Sequence, residues 1–193
     1  MERVKIEIDL HRARIWQLEA YSSLPAAVLN APATIDEYDP STWWTPKDHR
    51  AHSLHIARVV GMIIRHFVFG DVDVASLSVP DRIAVGDVDT LAALKNMEDL
   101  LPVVHGRTHQ MWAEHHEKSF DEIVAMGEES YAQMFSLLAS INEDQLANTV
   151  ITRGPTVRQS VGEQLATLAG HDRQHWGWAI QGLADRAAAV SQG

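Results

Sequence analysis

The run Gly170-His171-Asp172-Arg173-Gln174-His175-Trp176 carries two histidines four residues apart. On an α-helix that spacing brings two imidazoles to one face, with Cβ atoms roughly 5–6 Å apart, so both can reach one metal ion without bending the backbone. The surrounding stretch, Arg158 to Leu183, reads as a helix. Val161, Leu165, Leu168, His171, His175, Trp178 and Ala179 recur along one stripe at the helical period. The histidines thus stand where core side chains belong. A second pair, His105 and His109, has the same spacing. With eleven histidines in 193 residues such pairs arise readily, and either pair taken alone is more often a set of packed or solvated imidazoles with ordinary hydrogen bonds. A pair becomes a site when another element supplies a third ligand.

The composition bounds what that site could serve. A chain of 193 residues is read as a single domain over residues 1–193, with a core large enough to bury most of its apolar surface. The net charge of −10, with no Lys/Arg cluster, argues against nucleic-acid backbones and anionic membranes as main partners. The absence of cysteine excludes disulfides, thiolate zinc sites and a cysteine nucleophile, which leaves imidazole, carboxylate and water to hold any metal. The N-terminal residues Met1 to Glu7 carry charges along their whole length and form no apolar run, and Arg58, Arg65 and His66 interrupt the longest apolar runs. A cytoplasmic protein without signal peptide or membrane span is expected.

Five helical patterns must position the histidines. The first runs from about Asp9 to Asn30, with Pro25 kinking or ending it. Ala31 to Trp44 is loop-like, and Thr45-Pro46-Lys47-Asp48 then matches an N-cap followed by proline at the first helical position. The helix from Pro46 to about Phe69 has His52, Ile56, Val59, Val60, Ile63 and Phe67 as its inner stripe, and Gly70 closes it. A long connection to Asp87 follows, with at most a short strand-like piece. Asp89-Thr90 caps a third pattern from Leu91 towards His116, broken or kinked at Pro102. Ser119 and Glu122 have capping-box spacing at the head of a fourth helix ending near Ser140. Thr156 is the candidate N-cap of the last helix, and the tail from Arg186 to Gly193 is expected to fray. Without a convincing alternating strand or an internal repeat, the chain reads as an all-α domain of bundle type.

In a bundle, metal sites are built from inward-facing residues on different helices. The Pro46–Phe69 helix offers His49, His52 and His55. His52 shares its stripe with Ile56, Val59 and Ile63, which favours it; His49 can also approach that face, and His55 lies beside it. A buried neutral imidazole with a backbone partner is the alternative for His52.

These residues carry a resemblance. Trp44-Thr45-Pro46-Lys47-Asp48-His49-Arg50-Ala51-His52, a tryptophan and a histidine separated by seven residues at a helix start, resembles the first signature of the DinB/YfiT-like family of metalloenzymes. His171-Asp172-Arg173-Gln174-His175 is similar to the second. Leu137 to Leu146, then a loop and Thr156-Val157-Arg158, follows the family's run into its last helix, and the likeness spans about Asp9 to Ala184. It implies a four-helix bundle, usually dimeric, in which His52, His171 and His175 hold a divalent ion, zinc or nickel before manganese or iron. Two features depart from the pattern. Leu91 to His116 adds helical material between the second and third main helices, and His49 stands where an apolar residue is commoner.

Three neutral imidazoles leave a divalent ion its full charge and an open position, the arrangement of catalytic rather than structural zinc. A water held there falls towards a pKa near 7, and a thiol becomes a thiolate. The resemblance implies a metal-dependent thiol S-transferase or hydrolase acting on a small molecule. A thiol reaction requires a low-molecular-weight thiol as cosubstrate, because the chain has no cysteine. The competing reading is a non-catalytic module, binding a small ligand or serving a stress response. Asp48 and Asp172 are candidates to orient an imidazole N–H, although Asp48 equally suits a helix's first turn and Asp172 could pair with Arg173. Gln164, Trp176 and Trp178 are candidate pocket walls or core, and His105 and His109 a second metal pair without an identified third ligand.

Overall fold

The computed structural model describes residues 3–37, 39–94, 97–153 and 157–191. Four long helices form the bundle: α1 (Arg3–Ser22), α3 (Pro46–Phe69), α7 (Phe120–Ser140) and α9 (Val161–Ser191). Helix α3 is the central member, packing on α9 and α7, while α1 lies against α9. Every helix contributes a stripe at three- and four-residue spacing. On α1 the stripe is Ile6, Leu10, Ala13, Gln17 and Tyr21, and on α9 it includes Val161, Leu165, Leu168, Asp172, His175 and Ala179. One apolar cluster joins Ile6 and Leu10 to Val60, Ile63, Ile64, Met134, Leu138, Leu165 and Leu168; a second groups Ala51, Leu54, Ile123 and Tyr131.

The ends of these helices follow local chemistry. Thr45 accepts the Asp48 amide while Asp48 accepts the Thr45 amide, a closed capping box that starts α3 with Pro46 at its first position. Gly70, at φ 65°, ends the helix in the left-handed conformation that glycine adopts without steric cost. Ser119 and Glu122 form the same box on α7. At the other end of α7, the Arg3 guanidinium bonds the carbonyls of Leu138 and Ile141.

Between the long helices lie α2 (Ala26–Leu29), a 3₁₀ turn (Val74–Ser76), α4 (Val79–Ala84), α5 (Val88–Ala93), α6 (Met97–His115) and α8 (Glu143–Asn148). Helices α4 and α6 pack on α3 and on one another. Pro102 sits inside α6 without ending it. The N-cap of α5 is Asp87, whose carboxylate accepts the Thr90 amide, two residues before the expected Asp89. The connection to Asp87, read as loop-like with at most a short strand-like piece, is partly helical, because Asp73 caps the 3₁₀ turn and Ser78 caps α4.

Two short hairpins depart from an all-helical chain. Strands β1 (Thr34–Ile35) and β2 (Trp43–Trp44) pair Thr34 with Trp44, and β3 (Val150–Arg153) and β4 (Val157–Ser160) pair Val150 with Ser160. Arg158 therefore belongs to a strand, and α9 starts three residues later than its expected first residue. Ser160 and Glu163 bond each other's backbone amides there, which is the capping-box spacing. Thr156 lies outside the described residues. Helix α9 also continues to Ser191, through the segment expected to fray, because Ala187, Ala188 and Ala189 are the best helix formers available. No helix among the described residues is long and apolar enough to cross a membrane.

Candidate metal centre

The first two turns of α3 are buried almost without interruption, from Pro46 to Ala51, because the hairpin β1–β2, the turn after α6 and the middle of α9 close over them. His52 leaves α3 on the side facing α9. His171 and His175 leave α9 one turn apart, and one ring nitrogen from each of the three residues lies within 4.8 Å of the others. Ring centroids are 4.4 Å apart for His52 and His175, 4.5 Å for His171 and His175, and 5.4 Å for His52 and His171.

Burial makes this a cluster of bases. Desolvation holds His52 down at about 3 and lowers both His171 and His175, so all three rings are neutral at physiological pH. The mutual repulsion of the imidazolium forms lowers His52 and His175 further. The Nδ1 atoms of His52 and His171 are buried and meet no hydrogen-bond partner in the protein. Buried polar atoms of this kind call for a water, an ion or another ligand. Three neutral imidazoles with free lone pairs suit a divalent zinc- or nickel-type cation, so the residues fit the metal that the spacing implies.

The carboxylates expected to orient these rings are engaged elsewhere. Asp48 closes the α3 capping box and meets Nδ1 of His116 at 3.0 Å, with no bond to His52. Its position in the box fixes it, buried, against Thr45. Asp172 lies on the inner stripe of α9, where Tyr131 donates to its Oδ2 at 2.9 Å and Arg50 lies nearby; burial raises it to about 6, against the pull of Arg50 and Tyr131. It pairs with neither Arg173 nor His171. Arg50 fits because α7 carries Gly127 there: a Cβ at that position would stand 2.8 Å from Nη2 of Arg50.

The neighbours of the cluster are aromatic and imidazole groups. Trp44 packs its ring 5.3 Å from His49 and 5.4 Å from His52, held by a bond from its Nε1 to Asp36 at 2.8 Å. Trp178 is half exposed and meets His175 edge-on at 4.8 Å, so it is a rim residue rather than core. Trp176 packs away from the cluster, against Trp16 and Tyr21. Gln164 is buried about two turns before His171. His49, which spacing alone left unassigned, turns towards His175, with 3.0 Å between the two Nδ1 atoms. The available signal was its position one turn before His52. His55 faces α6, accepts from Nε of Arg107 at 3.0 Å, and is held at about 4 by burial and by that charge. Arg107 in turn pairs with Asp81 on α4. His105 and His109 gather no third ligand among the described residues.

Fold and site together define a class: a helical bundle whose interior brings three neutral imidazoles together from two sequence-distant helices. Residues 7–179 match the DinB superfamily, and the chain belongs to it. Searches of curated proteins and of solved structures each return no match.

Proposed function

We propose that this protein is a divalent-metal-dependent enzyme of the thiol S-transferase or hydrolase type, with His52, His171 and His175 as its metal ligands. The observation that carries the reading is the approach of their ring nitrogens to within 4.8 Å of one another, with two buried Nδ1 atoms left without a protein partner. A divalent ion, zinc or nickel, supplies Lewis acidity to a water or thiol at the position that three ligands leave open. The chain's own residues bind and orient it. The low proton affinity of the three imidazoles keeps their lone pairs available, Trp44 excludes water from the His49 and His52 side, and the exposed edge of Trp178 offers an aromatic surface to an arriving small molecule. With no cysteine in the chain, a transferred thiol is a cosubstrate. A cytoplasmic homodimer is part of the same proposal.

The test is turnover of protein loaded with zinc or nickel against bacillithiol, mycothiol or glutathione plus an electrophile, beside a panel of esters and amides. Turnover that disappears with a chelator and in His175→Ala supports the enzyme reading. A protein that holds its metal tightly but turns over neither panel overturns it in favour of a ligand-binding module.

A further inference from the structure

His49 is 3% exposed and His175 is 6% exposed, and their Nδ1 atoms are 3.0 Å apart. That distance is a hydrogen bond, and two neutral imidazoles can make it only if one of the two nitrogens carries a proton and the other does not. On its far side, Nε2 of His49 is 2.8 Å from Oγ1 of Thr34, a hydroxyl that can donate or accept. Two proton arrangements satisfy this chain. In one, His175 donates from Nδ1 to His49, whose Nε2–H donates to Thr34, and Nε2 of His175 is left with a bare lone pair. In the other every donor is reversed, and Nε2 of His175 is blocked by a proton. Only the first leaves His175 able to bind a cation through Nε2.

We propose that His49 is a positioning residue of the metal centre: it accepts the Nδ1 proton of His175 and, steadied by Thr34, selects the tautomer and ring orientation in which His175 binds the metal. The proposal rests on the three-histidine reading. It gives a role to His49, and it replaces the carboxylate support that Asp48 and Asp172 do not provide. An imidazole here does for a metal-bound histidine what carboxylates and carbonyls do elsewhere.

The experiment is zinc affinity by chelator competition, with cobalt absorption spectra, for the wild type, His49→Leu, His49→Asn and Thr34→Val. Leucine fills the volume with no acceptor, so zinc binding should weaken by about 10- to 100-fold while helix content stays. Asparagine, whose side-chain oxygen stands where Nδ1 stands, should recover much of the loss, and Thr34→Val should fall between. Full affinity in His49→Leu, with the wild type binding zinc, overturns this proposal and leaves the metal site standing; a wild type that binds no metal overturns both. Nitrogen NMR of the metal-free wild type gives a readout that needs no variant to fold. It should show His175 protonated at Nδ1, with a scalar coupling across the bond to His49, and a proton resident on Nε2 of His175 contradicts the proposal.

Discussion

The three histidines could be singled out one at a time, for different reasons. The spacing of His171 and His175 is a covalent property of the chain, and a helix converts it into proximity whatever else happens. His52 needed the phase of α3, which the apolar stripe supplied to within a residue: its neighbours Ala51, Ser53 and Leu54 are fully buried, while His52 itself is partly buried at their edge. The same one-residue drift placed His171 and Trp178 on the stripe of α9, whereas Asp172 occupies it. His49 and the real partners of Asp48 and Asp172 were illegible because each depends on a residue brought from a distant segment: His175, His116 and Tyr131. At this scale the consequence is a pH dependence. Burial holds His49 at about 4, His52 at about 3 and His55 at about 4, while the unfolded chain titrates each near 6.5. Below about 6.5 the unfolded state takes up protons that the folded state refuses, so stability falls as the pH drops. Asp172, raised to about 6, works in the opposite sense below that pH but is one group against at least three. Urea midpoints of the metal-free protein should decrease from pH 7 to pH 5, a window above the usual carboxylate range. A midpoint that is flat or higher at pH 5 would show that these imidazoles are not held neutral by burial.

Among the elements, those with strong end signals were readable. The Pro46 to Phe69 helix was bounded by its Thr45 cap and by Gly70, and the α7 start by Ser119 and Glu122. The hairpins were not, since two- and four-residue strands give too short an alternation to count, and β1 gains its place from α9 rather than from its own sequence. Gly182 is the contact that seats it. A Cβ there would lie 2.2 Å from the carbonyl oxygen of Ala33 and 2.9 Å from Cγ2 of Thr34, and the first of these is backbone that cannot swing aside. Gly182→Ala should therefore destabilise the protein by about 1–3 kcal/mol through overpacking, although alanine is the better helix former by about 1 kcal/mol. Equilibrium urea unfolding measures the sign. Because the displaced strand carries the Thr34 hydroxyl that meets His49, the same variant should also bind zinc more weakly; an unchanged or raised stability would mean that β1 yields freely.

At the scale of the whole molecule, the all-α bundle followed from five periodic segments, and the site followed from asking which helix could face the last one. The α5 and α6 part of the inserted segment was visible as surplus helical pattern from Leu91 to His116, whereas α4 lay in a stretch read as a connection, and the tie of the segment to the core was not legible. Part of that tie is Arg107, which bridges Asp81 and His55 through an ion pair and a hydrogen bond between three separate elements, and part is Val85 in the apolar cluster and Lys47 on the His116 carbonyl. The function proposed here depends on α3 and α9 delivering ligands to one ion. The most direct measurement is a zinc titration of the wild type and of His52→Ala, recording stoichiometry and affinity. One ion per chain in the wild type, with affinity reduced by orders of magnitude on loss of an imidazole that lies more than a hundred residues from the other two, is the expected result. A wild type that binds no ion, or a His52→Ala variant that binds as tightly, would contradict a metal centre shared between the two helices.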